Sequence, residues 1–266
     1  MLSVSTISRY IDTVPPLPKI LKACSQVLDE GDLVKAADLA AQDPALIHYL
    51  KEIVNKPIFG FRGEVKDPRQ IFGVLGLTRA RQILYSYYIL LLLPRDWDVF
   101  DFNTRKFQDL QASMMIAWEK ILLFLKCDDQ EVAKAVTLVP ATIAVCESIF
   151  KEHVDTVALI RGRTPISYEA ILYKMTQRNF FDIAVLIAKK WELSPTIMEI
   201  LSALGKDTVK HSATIDTYVD YLKLLINYEL SRPEYIKSGL NDFFDMYVDV
   251  SPAVMEAFFK TLVGDE

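Results

Sequence analysis

Apolar residues recur at helical spacing along most of the chain. Leu46, Ile47, Leu50, Ile53 and Val54 share one face of a helix, as do Ile20, Leu21, Cys24, Val27 and Leu28, whose run stops at Gly31. Ile197, Ile200, Leu201 and Leu204 make a third such face, with Gly205 as the stop. From Phe107 to Lys126 the residues are apolar nearly all round after Ala112, the pattern of a central helix. The stretch from Val132 to Phe150 is equally apolar but carries Pro140 in its middle. Proline there removes a backbone hydrogen bond and crowds the preceding turn, so a kink or break is expected. Later helices are expected at roughly Asn179 to Trp191, Ser212 to Ser231, Pro233 to Gly239, Asn241 to Tyr247 and Pro252 to Val263. No alternating strand pattern and no repeat period interrupts them, which predicts an all-α chain.

Punctuation supports the periodicity. Asp43-Pro44, Asp67-Pro68, Thr164-Pro165, Ser194-Pro195 and Ser251-Pro252 each pair a capping side chain with proline. The side chain accepts from a free backbone N–H, and proline at the first helical position has no N–H to strand and already has helical φ. Two stretches lack the period. Pro94 to Thr104, Asp-rich and aromatic, is expected to join an N-terminal lobe to a C-terminal one, and Asp155 to Ser167 to form a loop in the second lobe.

Composition narrows the classes of function. At 266 residues the chain is near the upper limit for one core, and two packed helical lobes are the expected arrangement. With 51% hydrophobic and 24% charged residues and only 9 Gly, it can bury a large core and leaves little room for disorder. A net charge of −5 opposes a role in gripping nucleic acid, which needs a basic surface. Cys24, Cys127 and Cys146 are too few and too scattered for a disulfide framework or a zinc site and read as reduced core thiols. The N-terminus has no long apolar run. The greasiest stretch, Ile83 to Leu93, is well short of the ~20 residues that span a bilayer, so no membrane span and a cytoplasmic location are expected.

The search for chemistry finds little. His48, His153 and His211 lack the i, i+4 pairing that puts two imidazoles on one metal. There is no Gly-rich phosphate loop, no Cys-x-x-Cys and no Gly-x-Ser-x-Gly turn. Asp96, Asp98 and Asp101 form an acidic loop, but Trp97, Val99 and Phe100 intervene and no Gly supplies the sharp turn of a calcium site. No cofactor is expected. The best candidates for an anionic ligand are arginines near glycine: Arg79 and Arg81, downstream of Gly76, and Arg161 and Arg163, which flank Gly162.

Several signals fall into one order: Val14-Pro15-Pro16-Leu17-Pro18, Leu39-Ala40, Asp43-Pro44-Ala45-Leu46, Leu50 to Asn55, Phe59-Gly60 and Leu75-Gly76-Leu77. This succession resembles the HDOD family, the HD-related output domains of bacterial signalling proteins. It departs at Lys56, where the family carries serine after its asparagine. The resemblance covers roughly residues 10–205. It implies an N-terminal helical lobe over residues 1–93, packed on a degenerate HD-like lobe over residues 105–205. Helices in residues 206–266 are expected to pack on the second lobe. Pro16, Pro18, Asp43, Pro44, Asn55, Gly76 and Trp191 would be its signature positions, in structural roles.

The resemblance also locates what is missing. Thr137-Leu138-Val139-Pro140-Ala141-Thr142-Ile143 matches the family's Gly-Leu-Leu-His-Asp-Ile-Gly, so Pro140 and Ala141 stand where His-Asp would be. Glu169 and Trp191-Glu192-Leu193-Ser194 match a Glu and a Trp-x-Leu-Pro run, which sets Phe180 and Ala184 at a frequent histidine and glycine. What this implies is a non-catalytic bacterial signalling module without a metal, binding a signalling protein or a small anionic ligand. A link to motility or second-messenger circuits belongs to the same implication. A divergent HD-type phosphohydrolase and a nucleotide-binding protein are the competing readings.

Overall fold

A computed structural model of the chain describes residues 18–61, 63–91, 93–94, 96–163, 166–205, 211–244 and 249–264. Among the described residues every regular element is a helix. The N-terminal set comprises α1 (Lys19–Asp29), α2 (Leu33–Ala40), α3 (Pro44–Val54), a 3-10 turn (Pro57–Phe59) and α4 (Pro68–Leu90). Capping chemistry sets the boundaries. Asp43 accepts from the Ala45 and Leu46 N–H groups at 3.0 and 3.1 Å, and Asp67 from that of Gln70 at 3.0 Å. Ser194 and Ser251 cap later helices in the same way, each ahead of a proline. Thr164-Pro165 and Pro16 lie outside the described residues, and Pro18 caps α1 with an extended backbone.

Two signature residues shape this region. Asn55 ends α3, donates to the Val65 carbonyl at 2.9 Å and accepts the Val65 N–H at 2.8 Å, pinning the loop that leads to α4. Gly76 sits inside α4 with φ 68° and ψ 179°, dividing the element into two helical arms. That conformation is essentially confined to glycine. Gly76→Ala is therefore expected to cost about 1–3 kcal/mol in urea-unfolding free energy, although no neighbour would meet the added methyl.

The remaining helices are α5 (Thr104–Phe124), α6 (Gln130–Ala135), α7 (Leu138–Lys151), α8 (Val154–Arg163), α9 (Tyr168–Thr176), α10 (Phe180–Lys190), α11 (Pro195–Leu204), α12 (Ala213–Leu230), α13 (Pro233–Ile236), a 3-10 turn (Leu240–Phe243) and α14 (Pro252–Val263). The break expected near Pro140 occurs upstream, at Val136–Thr137, so that Pro140 is the third residue of α7. There a missing N–H costs no helical bond. The segment read as a loop, Asp155 to Ser167, is instead helical through Arg163. α8 buries only Val157, so it shows no apolar period to read. The helix expected from Asn241 to Tyr247 is a single 3-10 turn in its described part.

α1, α2 and α4 pack on one another and α3 packs on α4, while α4 reaches across to α5 and α6. Tyr88 of α4 lies 4.5 Å, centroid to centroid, from Trp191 at the end of α10, and Gln82 donates to the Ala133 carbonyl at 2.9 Å. One hydrophobic core runs through both sets, from Leu21 to Phe258. α12 packs on α5 and α11, and α14 on α5 and α12. By length and composition, Gln130–Lys151 could cross a membrane, but 94% of that window is buried within this core.

Candidate functional site

α7 is the centre of the region where the resemblance sets a metal site. Its buried positions are apolar except for Thr142 and Glu147, and it packs directly on α10. Pro140 and Ala141, in its first turn, are buried and offer no donor atom to a metal. Phe180, the first residue of α10, is completely buried. Its ring meets Phe244 edge-on at 4.9 Å, Phe243 at 5.2 Å and Phe181 at 5.4 Å. Phe243 continues this packing to Phe150 of α7, stacked at 6.1 Å, and to Phe100 at 5.5 Å and Tyr168 at 5.6 Å. The interior is thus filled by rings, two of them, Phe243 and Phe244, contributed by a segment far down the chain.

That segment crosses the site as a strap, from α13 through the 3-10 turn. Gly239 has φ +73°, and a Cβ there would lie 2.8 Å from Cε2 of Tyr168, so only glycine lets the strap press onto this ring. Ser238 donates to the Asp101 carbonyl, and Asp242 pairs with Arg161 at 2.6 Å. The Arg161 guanidinium also lies 4.0 Å over the Tyr168 ring, a cation–π contact. Burial raises the Tyr168 hydroxyl above its usual range, partly opposed by Arg161.

The one buried charge of α7 is Glu147. Its Oε1 accepts the Asp98 and Val99 N–H groups at 2.6 and 3.0 Å, and its Oε2 accepts that of Phe100 at 3.0 Å. The carboxylate thereby fixes the loop before α5 and seats Phe100 in the ring cluster. Burial raises its pKa above the ordinary glutamate value, against the three donated hydrogen bonds that favour the anion. Nearby, Glu169 accepts from the Phe180 N–H at 3.2 and 3.3 Å. Burial pushes the Cys146 thiol well above its usual range, with Glu169 and Glu147 adding to the effect. The two carboxylates therefore hold backbone. Among the described residues no three His, Cys, Asp or Glu side chains are placed to share a metal ion, so this donor set does not fit one.

The acidic loop is likewise tied to the protein. Asp98 pairs with Lys151 at 2.6 Å and Asp101 with Lys106 at 3.7 Å. Of the arginines proposed for an anion, Arg81 is buried and bonds to Asp29, Gln130 and the Leu28 carbonyl. It closes the C-terminal end of α1 onto α6. Arg79 pairs with Glu119, and Arg161 is taken up by the strap. Arg163 is exposed at the end of α8. The four thus stay apart as two structural pairings, one strap contact and one surface charge. Glu147 and Phe243 were not anticipated as site residues. The available signal for Glu147 was a carboxylate in the middle of a largely apolar helix, which needs buried partners.

An HDOD domain profile matches residues 14–204. Among solved structures, an HDOD domain protein of unknown function from Geobacter sulfurreducens aligns with a TM-score of 0.66 at 16% identity, over 99% of this chain and 89% of that one. A provisionally assigned phosphohydrolase from Shewanella amazonensis SB2B aligns with a TM-score of 0.67 at 14% identity, over 96% and 92%. A second protein of that organism, provisionally assigned as a metal-dependent phosphohydrolase, gives 0.55 at 15%, over 98% and 95%. These likenesses concern the fold. No curated protein matches the sequence. With one domain profile spanning most of its length, this chain belongs to the HDOD family.

Proposed function

We propose that the chain is a non-catalytic regulatory module of bacterial signal transduction that acts by binding a protein partner. The observation that carries this reading is the ring-filled interior. Phe180, Phe243 and Phe150 occupy the heart of the domain, and the carboxylates beside them are engaged by backbone N–H groups. Metal-assisted hydrolysis needs ligands that hold the ion and lower the pKa of its water. Pro140, Ala141 and Phe180 provide none. A small anionic ligand is the weaker alternative, because Arg79, Arg81 and Arg161 already have protein acceptors. The net charge of −5 opposes nucleic acid as the partner.

Elemental analysis of the purified protein tests the first half of the proposal. The expected result is no stoichiometric iron, manganese or zinc and no turnover of phosphodiesters. Bound metal with chelator-sensitive hydrolysis would overturn it. Calorimetry against cyclic dinucleotides and guanine nucleotides tests the second half. No heat and no thermal shift are expected, whereas saturable binding would replace the protein partner by a nucleotide.

A further inference from the structure

We draw no further inference here: the strongest candidate, the exposed apolar face that Phe259 and Val263 of α14 form with Phe124 of α5 and Tyr228 of α12, carries nothing, because nothing in the structure shows what covers it.

Discussion

Replacing Phe180 by alanine is expected to lower the unfolding free energy by about 3–5 kcal/mol, the usual cost of emptying a buried ring site. The ring is completely buried and has three aromatic neighbours between 4.9 and 5.4 Å. Phe243→Ala should cost a similar amount, because it borders the same space from the strap side. The two losses should fall short of additive, since the second substitution enlarges a cavity already opened by the first. Urea denaturation of the two single variants and the double variant provides the measurement. Phe180→His separates packing from lost chemistry. It should destabilise and gain no metal, because Pro140 and Ala141 remain unable to ligate. A Phe180→Ala variant within about 1 kcal/mol of wild type would show that the ring is not part of the rigid core.

Glu147→Ala should be about as damaging. It leaves the Asp98, Val99 and Phe100 N–H groups without their acceptor, at about 1–3 kcal/mol for each donor that stays buried. Glu147→Gln should cost less, because one amide oxygen can keep two of the three bonds while its NH2 group faces the remaining donor. The two variants also differ from wild type in their response to pH. The folded pKa of Glu147 is raised, so between the ordinary value of 4.5 and that higher value the native state holds more protons than the unfolded chain. The associated stability is present in full below 4.5 and is lost as pH rises through the folded value. Asp98 opposes the Glu147 charge, while Lys151, paired to Asp98 and Asp96, lies on the same side. Cys146 and Tyr168 are the other titratable groups that sense it. Measured from about pH 4 to pH 7, the stability difference between wild type and Glu147→Gln should therefore shift in favour of the variant as pH rises. A difference independent of pH would mean that Glu147 does not titrate in this range.

The cap-and-proline signals read directly wherever they fall on described residues. Asp43-Pro44, Asp67-Pro68, Ser194-Pro195 and Ser251-Pro252 each start a helix, and Pro252–Val263 was bounded to the residue. These are local signals, and local chemistry can be read in one dimension. α8 was missed because its contacts bury so little of it, and α9 because its short run between Ser167 and Gln177 buries only Tyr168, Ile171, Leu172 and Thr176. The site was half legible. Motif order sets Pro140, Ala141 and Phe180 in one region, and their helices, α7 and α10, do pack together. The filling of the interior could not be read this way, since Phe243 reaches Phe180 from sixty-three residues away, and no spacing rule predicts which distant ring will arrive. The arginines illustrate the opposite error. Their sequence neighbourhood resembled an anion site, whereas their acceptors, Asp29, Glu119 and Asp242, come from other parts of the chain.

The strap has a consequence for how the protein is made. Phe243 and Asp242 lie beyond the stretch that matches the family profile, which ends at residue 204, yet they complete its interior. On the ribosome the matched stretch emerges first. At synthesis rates of about 5–20 residues per second, it waits on the order of a few seconds for the strap. During that interval Phe100, Phe150 and Phe180 lack their closing ring, and the nascent chain should be at its most vulnerable to proteases and to aggregation. Expression of this protein would then depend on the pace of translation downstream of residue 204 as much as on the stability of the finished fold.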